Sequence, residues 1–154
     1  EALLVAMYDG KLQELYAADL ATGQVRQLTH FNEAVLEDMY VAEYKPLTIE
    51  SCGETISGWV LLPRDYNPKL TYPAILDIHG GPKTAFGRVF FHEMQAWANA
   101  GYFVFYCNPR GSDGRGNAFG CIGANCGRAD YENIMEFLEQ QHFPVLFNPV
   151  KGII

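Results

Sequence analysis

The stretch Pro73-Ala74-Ile75-Leu76-Asp77-Ile78, followed at once by His79-Gly80-Gly81-Pro82, decides the fold. A short apolar run that ends in paired glycines reads as a buried parallel strand delivering the chain to a loop at its tip. Glycine at such a tip leaves the backbone bare, so an amide N–H can be approached closely. Downstream, Val89 to Ala100 reads as a helix, with Phe90, Met94, Trp97 and Ala98 on one stripe and Gly101 as its C′ residue. Tyr102-Phe103-Val104-Phe105-Tyr106-Cys107 is a second buried strand. A glycine-dense loop covers Asn108 to Gly127. Asp130 then caps a second helix whose apolar face is Tyr131, Ile134, Met135 and Leu138. Strand, helix, strand, helix in this order spells an α/β domain with a mostly parallel sheet.

Upstream the texture differs. Lys45–Glu50 and Thr55–Leu62 form a hairpin around Ser51-Cys52-Gly53-Glu54, and a loop with two prolines, Pro63 to Pro68, leads to the deciding strand. Residues 1 to about 45 read as short strands: Leu3–Tyr8, a turn at Asp9-Gly10, Leu12–Asp19, a turn at Ala21–Gln24, then Val25–Leu28 with period-two alternation. This is β-meander material, and the change of pattern divides the chain into 1–44 and 45–154.

Composition bounds the rest. A hydrophobic content of 49%, with ten Phe, nine Tyr and two Trp, can fill a core. A net charge of −7 with scattered basic residues argues against nucleic acid, whose phosphates recruit clustered Lys and Arg. No apolar run approaches the roughly 20 residues of a membrane span, so no membrane partner is expected. The start carries neither Met nor a basic segment, which speaks against a signal peptide and for a cut from something longer. Cys52, Cys107, Cys121 and Cys126 read as free thiols of a cytoplasmic protein; the spacing of Cys121 and Cys126 is not that of a zinc site.

Three blocks recur in a recognisable order: Thr55–Pro63 (TISGWVLLP), Tyr72–Lys83 (YPAILDIHGGPK) and Tyr106–Phe119 (YCNPRGSDGRGNAF). Together they resemble the prolyl oligopeptidase family, in particular its acylaminoacyl and dipeptidyl peptidase branches. Gly127–Leu138 resembles the helix that follows in those enzymes, and Glu14–Phe31 the last blade of the β-propeller placed before their catalytic domain. The resemblance implies a partial α/β-hydrolase fold, the first half of its sheet, preceded by propeller-type strands. It implies a serine peptidase acting on peptide or N-acylaminoacyl bonds of short peptides without a cofactor. By position, Gly81 matches the glycine whose N–H serves the oxyanion hole, with His79, Gly80 and Pro82 as the supporting loop.

The nucleophile is a different matter. The family places it in a G-x-S-x-G turn after the second helix, and the chain's three serines, Ser51, Ser57 and Ser112, sit in no such motif. Ser112, in Arg110-Gly111-Ser112-Asp113-Gly114, comes nearest but lacks a strand–elbow–helix setting. His30 and His92 read as surface residues and His142 as part of a helix end, so the triad is expected to be absent and the chain alone inactive. From about Gln141 the sequence stops resembling the family. Gly114, Gly116 and Gly120 suggest a nucleotide loop, but the third glycine is displaced and no helix opens there. Glu132, Glu136 and Glu139 read as a solvated helix face rather than a metal or acid–base cluster. An esterase of the same fold and a non-catalytic assembly module are the rival readings. Without the nucleophile strand, Ala74–Ile78 would be an apolar edge, filled by self-association or by the tail Val145–Phe147 folding back.

Overall fold

A computed structural model describes residues 1–7, 10–81 and 83–146. Two sheets are present. Strands β1 (Ala2–Ala6), β2 (Glu14–Ala18) and β3 (Val25–Gln27) form an antiparallel meander with Ala2 opposite Ala18 and Tyr16 opposite Gln27. The expected first strand reached Tyr8 and its turn included Asp9; both lie outside the described residues. The second turn closes as its composition suggests. Asp19 accepts hydrogen bonds from the amides of Ala21 and Thr22, and Gly23 sits at φ +72°.

A helical turn, α1 (Glu33–Glu37), follows in a region that reads as strands alone. It is too short to show a helical period, and its position is set from outside. The buried Glu14 carboxylate accepts from the Thr29 hydroxyl and from the Asn32 amide and side chain, pinning the entry to α1 against β2. Removal from water would raise the Glu14 carboxyl. Hydrogen bonds from Thr29, Asn32 and Phe31 outweigh that and hold it lowered from 4.5 to about 2.

The larger sheet contains β4 (Tyr44–Ser51), β5 (Glu54–Leu61), β6 (Tyr72–Asp77), β7 (Phe103–Asn108) and β8 (Val145–Leu146) in the order β4-β5-β7-β6-β8. Cys52 and Gly53 join β4 to β5 with φ +52° and +79°, the pair of positive values a two-residue hairpin turn of the right twist requires. Pro46, which cannot donate to a ladder, sits on the edge strand. The sheet is mixed rather than mostly parallel: β4, β5 and β7 alternate in direction, while β6 runs parallel to both β7 and β8.

Helix α2 (His92–Asn99) covers one face, and α4 (Ala129–Glu139) the other. Side chains of β7 alternate between them. Phe103, Phe105 and Cys107 pack with Ile134 and Phe137 of α4, while Val104 and Tyr106 pack with Met94 and Ala98 of α2. Gly58, opposite Cys107, is required by this packing: a Cβ there would stand 2.5 Å from Phe137 Cζ and 2.5 Å from the Tyr106 carbonyl oxygen.

Several expectations shift. The first helix begins at His92 rather than Val89, leaving Phe90 before it, and ends as expected with Gly101 at φ +94° donating to the Ala98 carbonyl. Asp130 is not the cap of α4: it lies in the first turn, and Arg128 takes the cap position without a side-chain bond. Tyr131 is 59% exposed, and the buried face carries Asn133, Ile134 and Phe137 instead. The reason is polar. Asn133 accepts from the Arg110 amide and Nε and donates to Ser51 Oγ at 2.6 Å, and this turns α4 in a way apolar spacing cannot show. The glycine-rich loop holds a four-residue turn, α3 (Asn117–Gly120), where continuous loop is expected.

The deciding strand is also less buried than expected. Every residue from Phe103 to Cys107 of β7 is buried, but Ala74 to Asp77 of β6 are only half-buried. Among the described residues β8 pairs with β6 at Tyr72 and Pro73, so the tail supplies a substitute strand there. Phe147, the last residue assigned to that strand, lies outside the described residues. Among the described residues no helix is long and apolar enough to cross a membrane.

Two outcomes follow from the packing. Gly58→Ala should destabilise the chain by roughly 1–3 kcal/mol in chemical denaturation, because the added methyl meets backbone on one side and a core ring on the other. Glu14, depressed in the fold, contributes stability that is present above its ordinary 4.5 and is lost as pH falls towards 2. The thermal midpoint should therefore drop across that window, and Glu14→Gln should flatten the drop.

Candidate active site

β6 and β7 run parallel and end side by side, with Asp77 opposite Tyr106. The loops that leave their C-terminal tips, 78–91 and 109–116, therefore meet above the sheet, where parallel α/β sheets place their sites. Gly80 and Gly81 lie there, three and four residues beyond the end of β6, both exposed. Gly81 takes φ +127°, in the region that favours glycine, and a Cβ on it would stand 2.7 Å from the Lys83 amide nitrogen. A Cβ on Gly80 would meet nothing within 4 Å. Glycine is thus sterically required at 81, and at 80 the space is open. Among the described residues the Gly81 N–H donates to no acceptor. Pro82 lies outside the described residues.

Four contacts tie the glycine loop to the end of β7. The Asn108 side chain grips the backbone of Phe86, accepting from its N–H at 2.8 Å and donating to its carbonyl at 2.9 Å. The Asp113 amide donates to the Thr84 carbonyl at 3.0 Å. Lys83 Nζ stands 3.9 Å from Asp113 Oδ1, an exposed pair of small energetic weight. His79 Nε2 lies 2.9 Å from Ser112 Oγ. Beneath them the Phe86 ring makes T-shaped contacts with Tyr106 and His79, with centroids 5.2 and 5.1 Å apart. The loop therefore rests on the core and does not swing free of it.

The sequence brings His79, Gly80 and Gly81 together by adjacency, but it gives Ser112 only as a weak nucleophile candidate. The structure brings Ser112 to His79 and buries it, at 1% exposure. No sequence signal pairs the two, which are 33 residues apart. Ser57 is exposed on β5, opposite Asn108 of β7, and Ser51 is buried beneath α4; no histidine is hydrogen-bonded to either among the described residues. His30 and His92 are on the surface, and His142 lies beyond the end of α4. Glu132 is not merely solvated: it pairs with Arg110 at 3.6 Å and Arg128 at 3.3 Å.

Other titratable groups shape the surroundings. Burial, with Glu93 nearby, raises the Asp77 carboxyl at the tip of β6. Burial pushes the Cys107 thiol up to about 12, which makes it an inert core residue. Cys52, Cys121 and Cys126 are exposed and unpaired, and among the described residues no cluster could hold a metal ion.

Comparison with known proteins agrees with this architecture. Residues 88–142 match the prolyl oligopeptidase family, a stretch that begins late in the 78–91 loop, beyond Gly80 and Gly81, and includes β7 and α4. The chain is 34% identical over 129 residues to the uncharacterized peptidase YuxL of Bacillus subtilis (strain 168), spanning 82% of this chain and 20% of that protein. It is 30% identical over 133 residues to dipeptidyl-peptidase 5 of Aspergillus fumigatus, covering 83% of this chain and 18% of that one. Among solved structures, the acylaminoacyl peptidase of Pyrococcus horikoshii superposes with a TM-score of 0.81 at 30% identity, over 89% of this chain and 22% of that chain. The chain thus spans about a fifth of the length of these relatives.

Proposed function

Since the chain belongs to the prolyl oligopeptidase family, we propose that it forms the oxyanion side of a serine peptidase site cleaving peptide or N-acylaminoacyl bonds of short peptides. The observation that carries this reading is exposed Gly81, beyond the tip of a parallel strand, whose N–H has no acceptor among the described residues. When a serine attacks a carbonyl, negative charge grows on the carbonyl oxygen. A fixed N–H within hydrogen-bond reach of that oxygen stabilises the transition state more than the substrate, and one such donor is worth roughly 3–4 kcal/mol. Gly81 suits the role because no side chain stands between its amide and an approaching oxygen.

The attacking serine, its histidine base and the aspartate are then supplied by sequence other than these 154 residues. In that arrangement the edge of β6 that has no partner among the described residues takes the strand that leads to the nucleophile, and β1–β3 are propeller-type strands. Self-association through that edge is the alternative way to cover it. Three exposed thiols support a reducing, cytoplasmic setting. An esterase of the same fold would use Gly81 in the same way. The propeller-like segment before β4 favours the peptidase, because simple esterases rarely carry one, and the relatives named as peptidases support the same reading.

One observation favours a second reading. Ser112 and His79 lie at the 2.9 Å expected of a nucleophile and its base. Two features oppose it: Ser112 is 1% exposed, and His79 Nδ1 faces a backbone carbonyl where a carboxylate would be needed. A fluorophosphonate probe decides between them. The chain alone should remain unlabelled after prolonged exposure; covalent attachment at Ser112 would replace the oxyanion-loop reading with a Ser–His dyad.

A further inference from the structure

Both ring nitrogens of His79 are engaged, and the two partners together dictate the ring's state. Nδ1 lies 3.1 Å from the Gly80 carbonyl oxygen. A carbonyl oxygen only accepts, so this contact is a hydrogen bond only when Nδ1 carries the proton. In the neutral ring Nε2 is then the acceptor, and its partner at 2.9 Å is the Ser112 hydroxyl, which can donate. Ser112 is shut away from solvent, so water cannot easily replace His79 as the partner of that hydroxyl.

We propose that His79 is a positioning residue, locked by Ser112 as its Nδ1–H tautomer, that sets the plane of the Gly80–Gly81 peptide and so aims the Gly81 N–H. This rests on the oxyanion reading of Gly81 and adds the device that orients it. The peptide between Gly80 and Gly81 is planar and trans, so its carbonyl and its N–H point in opposite directions. Holding the carbonyl toward His79 turns the amide away from it, outward from the loop. Glycines have the widest choice of backbone angles, and two in succession would otherwise leave this plane free to rotate. The ring is itself held: Phe86 packs against it in a T-shaped contact, and Asn108 grips the Phe86 backbone on both sides. A chain of contacts thus runs from the end of β7 through Ser112 and His79 to one peptide plane.

The test uses the whole chain labelled with 15N, at about pH 8, where an ordinary imidazole is neutral. Long-range 1H–15N correlations should show His79 protonated at Nδ1 and unprotonated at Nε2. In Ser112→Ala the ring should become a mixture of tautomers, the Gly81 amide signal should move, and its heteronuclear NOE should fall to that of exposed loops while β7 amides keep theirs. A wild-type ring protonated at Nε2 overturns the proposal. So does a Gly81 amide whose signal and order are unchanged in Ser112→Ala. Should that variant not fold, the wild-type tautomer decides alone. These readouts involve no substrate, so the tether can fail while the oxyanion role of Gly81 stands, and labelling of Ser112 can defeat the oxyanion reading while the tautomer stands.

Discussion

The structure depends on β7. It pairs with β5 on one side and β6 on the other, and every residue from Phe103 to Cys107 is buried. Its alternate side chains feed two separate cores, Phe103 and Phe105 toward α4, Val104 and Tyr106 toward α2. Burial of that many aromatic rings gives the sheet its main driving force. The close approach of α4 through Gly58 seals one side. The same strand ends in Asn108, whose side chain holds the glycine loop, and the next turn carries Ser112, whose hydroxyl reaches His79. Core and candidate site are therefore consecutive parts of one segment.

Much of this was legible in the residues. Apolar runs marked β6 and β7, and alternation and turn chemistry marked β2, β3 and the Cys52–Gly53 hairpin. The stripe of Met94 and Ala98 marked α2 and Gly101 its end. What stayed hidden was polar or non-local. Asn133 rotates α4 by bonding Arg110 and Ser51, so Tyr131 faces water despite its spacing. α1 and α3 are shorter than a helical period can reveal. The half-burial of β6 depends on how much of its outer edge a later segment covers, which no local pattern encodes. At the site, Gly81 could be found because positive φ and close approach demand glycine. The tethers to Asn108 and Ser112 join positions 22 and 33 residues apart, and only the fold pairs them.

The division of labour that emerges is physical. One part of the molecule holds a hydrogen-bond donor still at the mouth of a parallel sheet, and a nucleophile has to arrive at the same place. Among the described residues the outer edge of β6 has no partner from Ala74 onward, next to the loop that carries the donor. A strand added there would end at the same tip as Gly81, which is where an attacking group would have to stand. The described part of β8 pairs with the far end of β6, at Tyr72 and Pro73.

The central claim is that the end of β7 builds a rigid ledge for Gly81, and hydrogen exchange at single amides tests it most directly. The Phe86 amide, donated to Asn108, and the Asp113 amide, donated to the Thr84 carbonyl, should both be protected to a degree approaching the amides of β7. Exchange of both at the rate of an unstructured peptide would mean that no ledge exists, and the account of the site would be wrong.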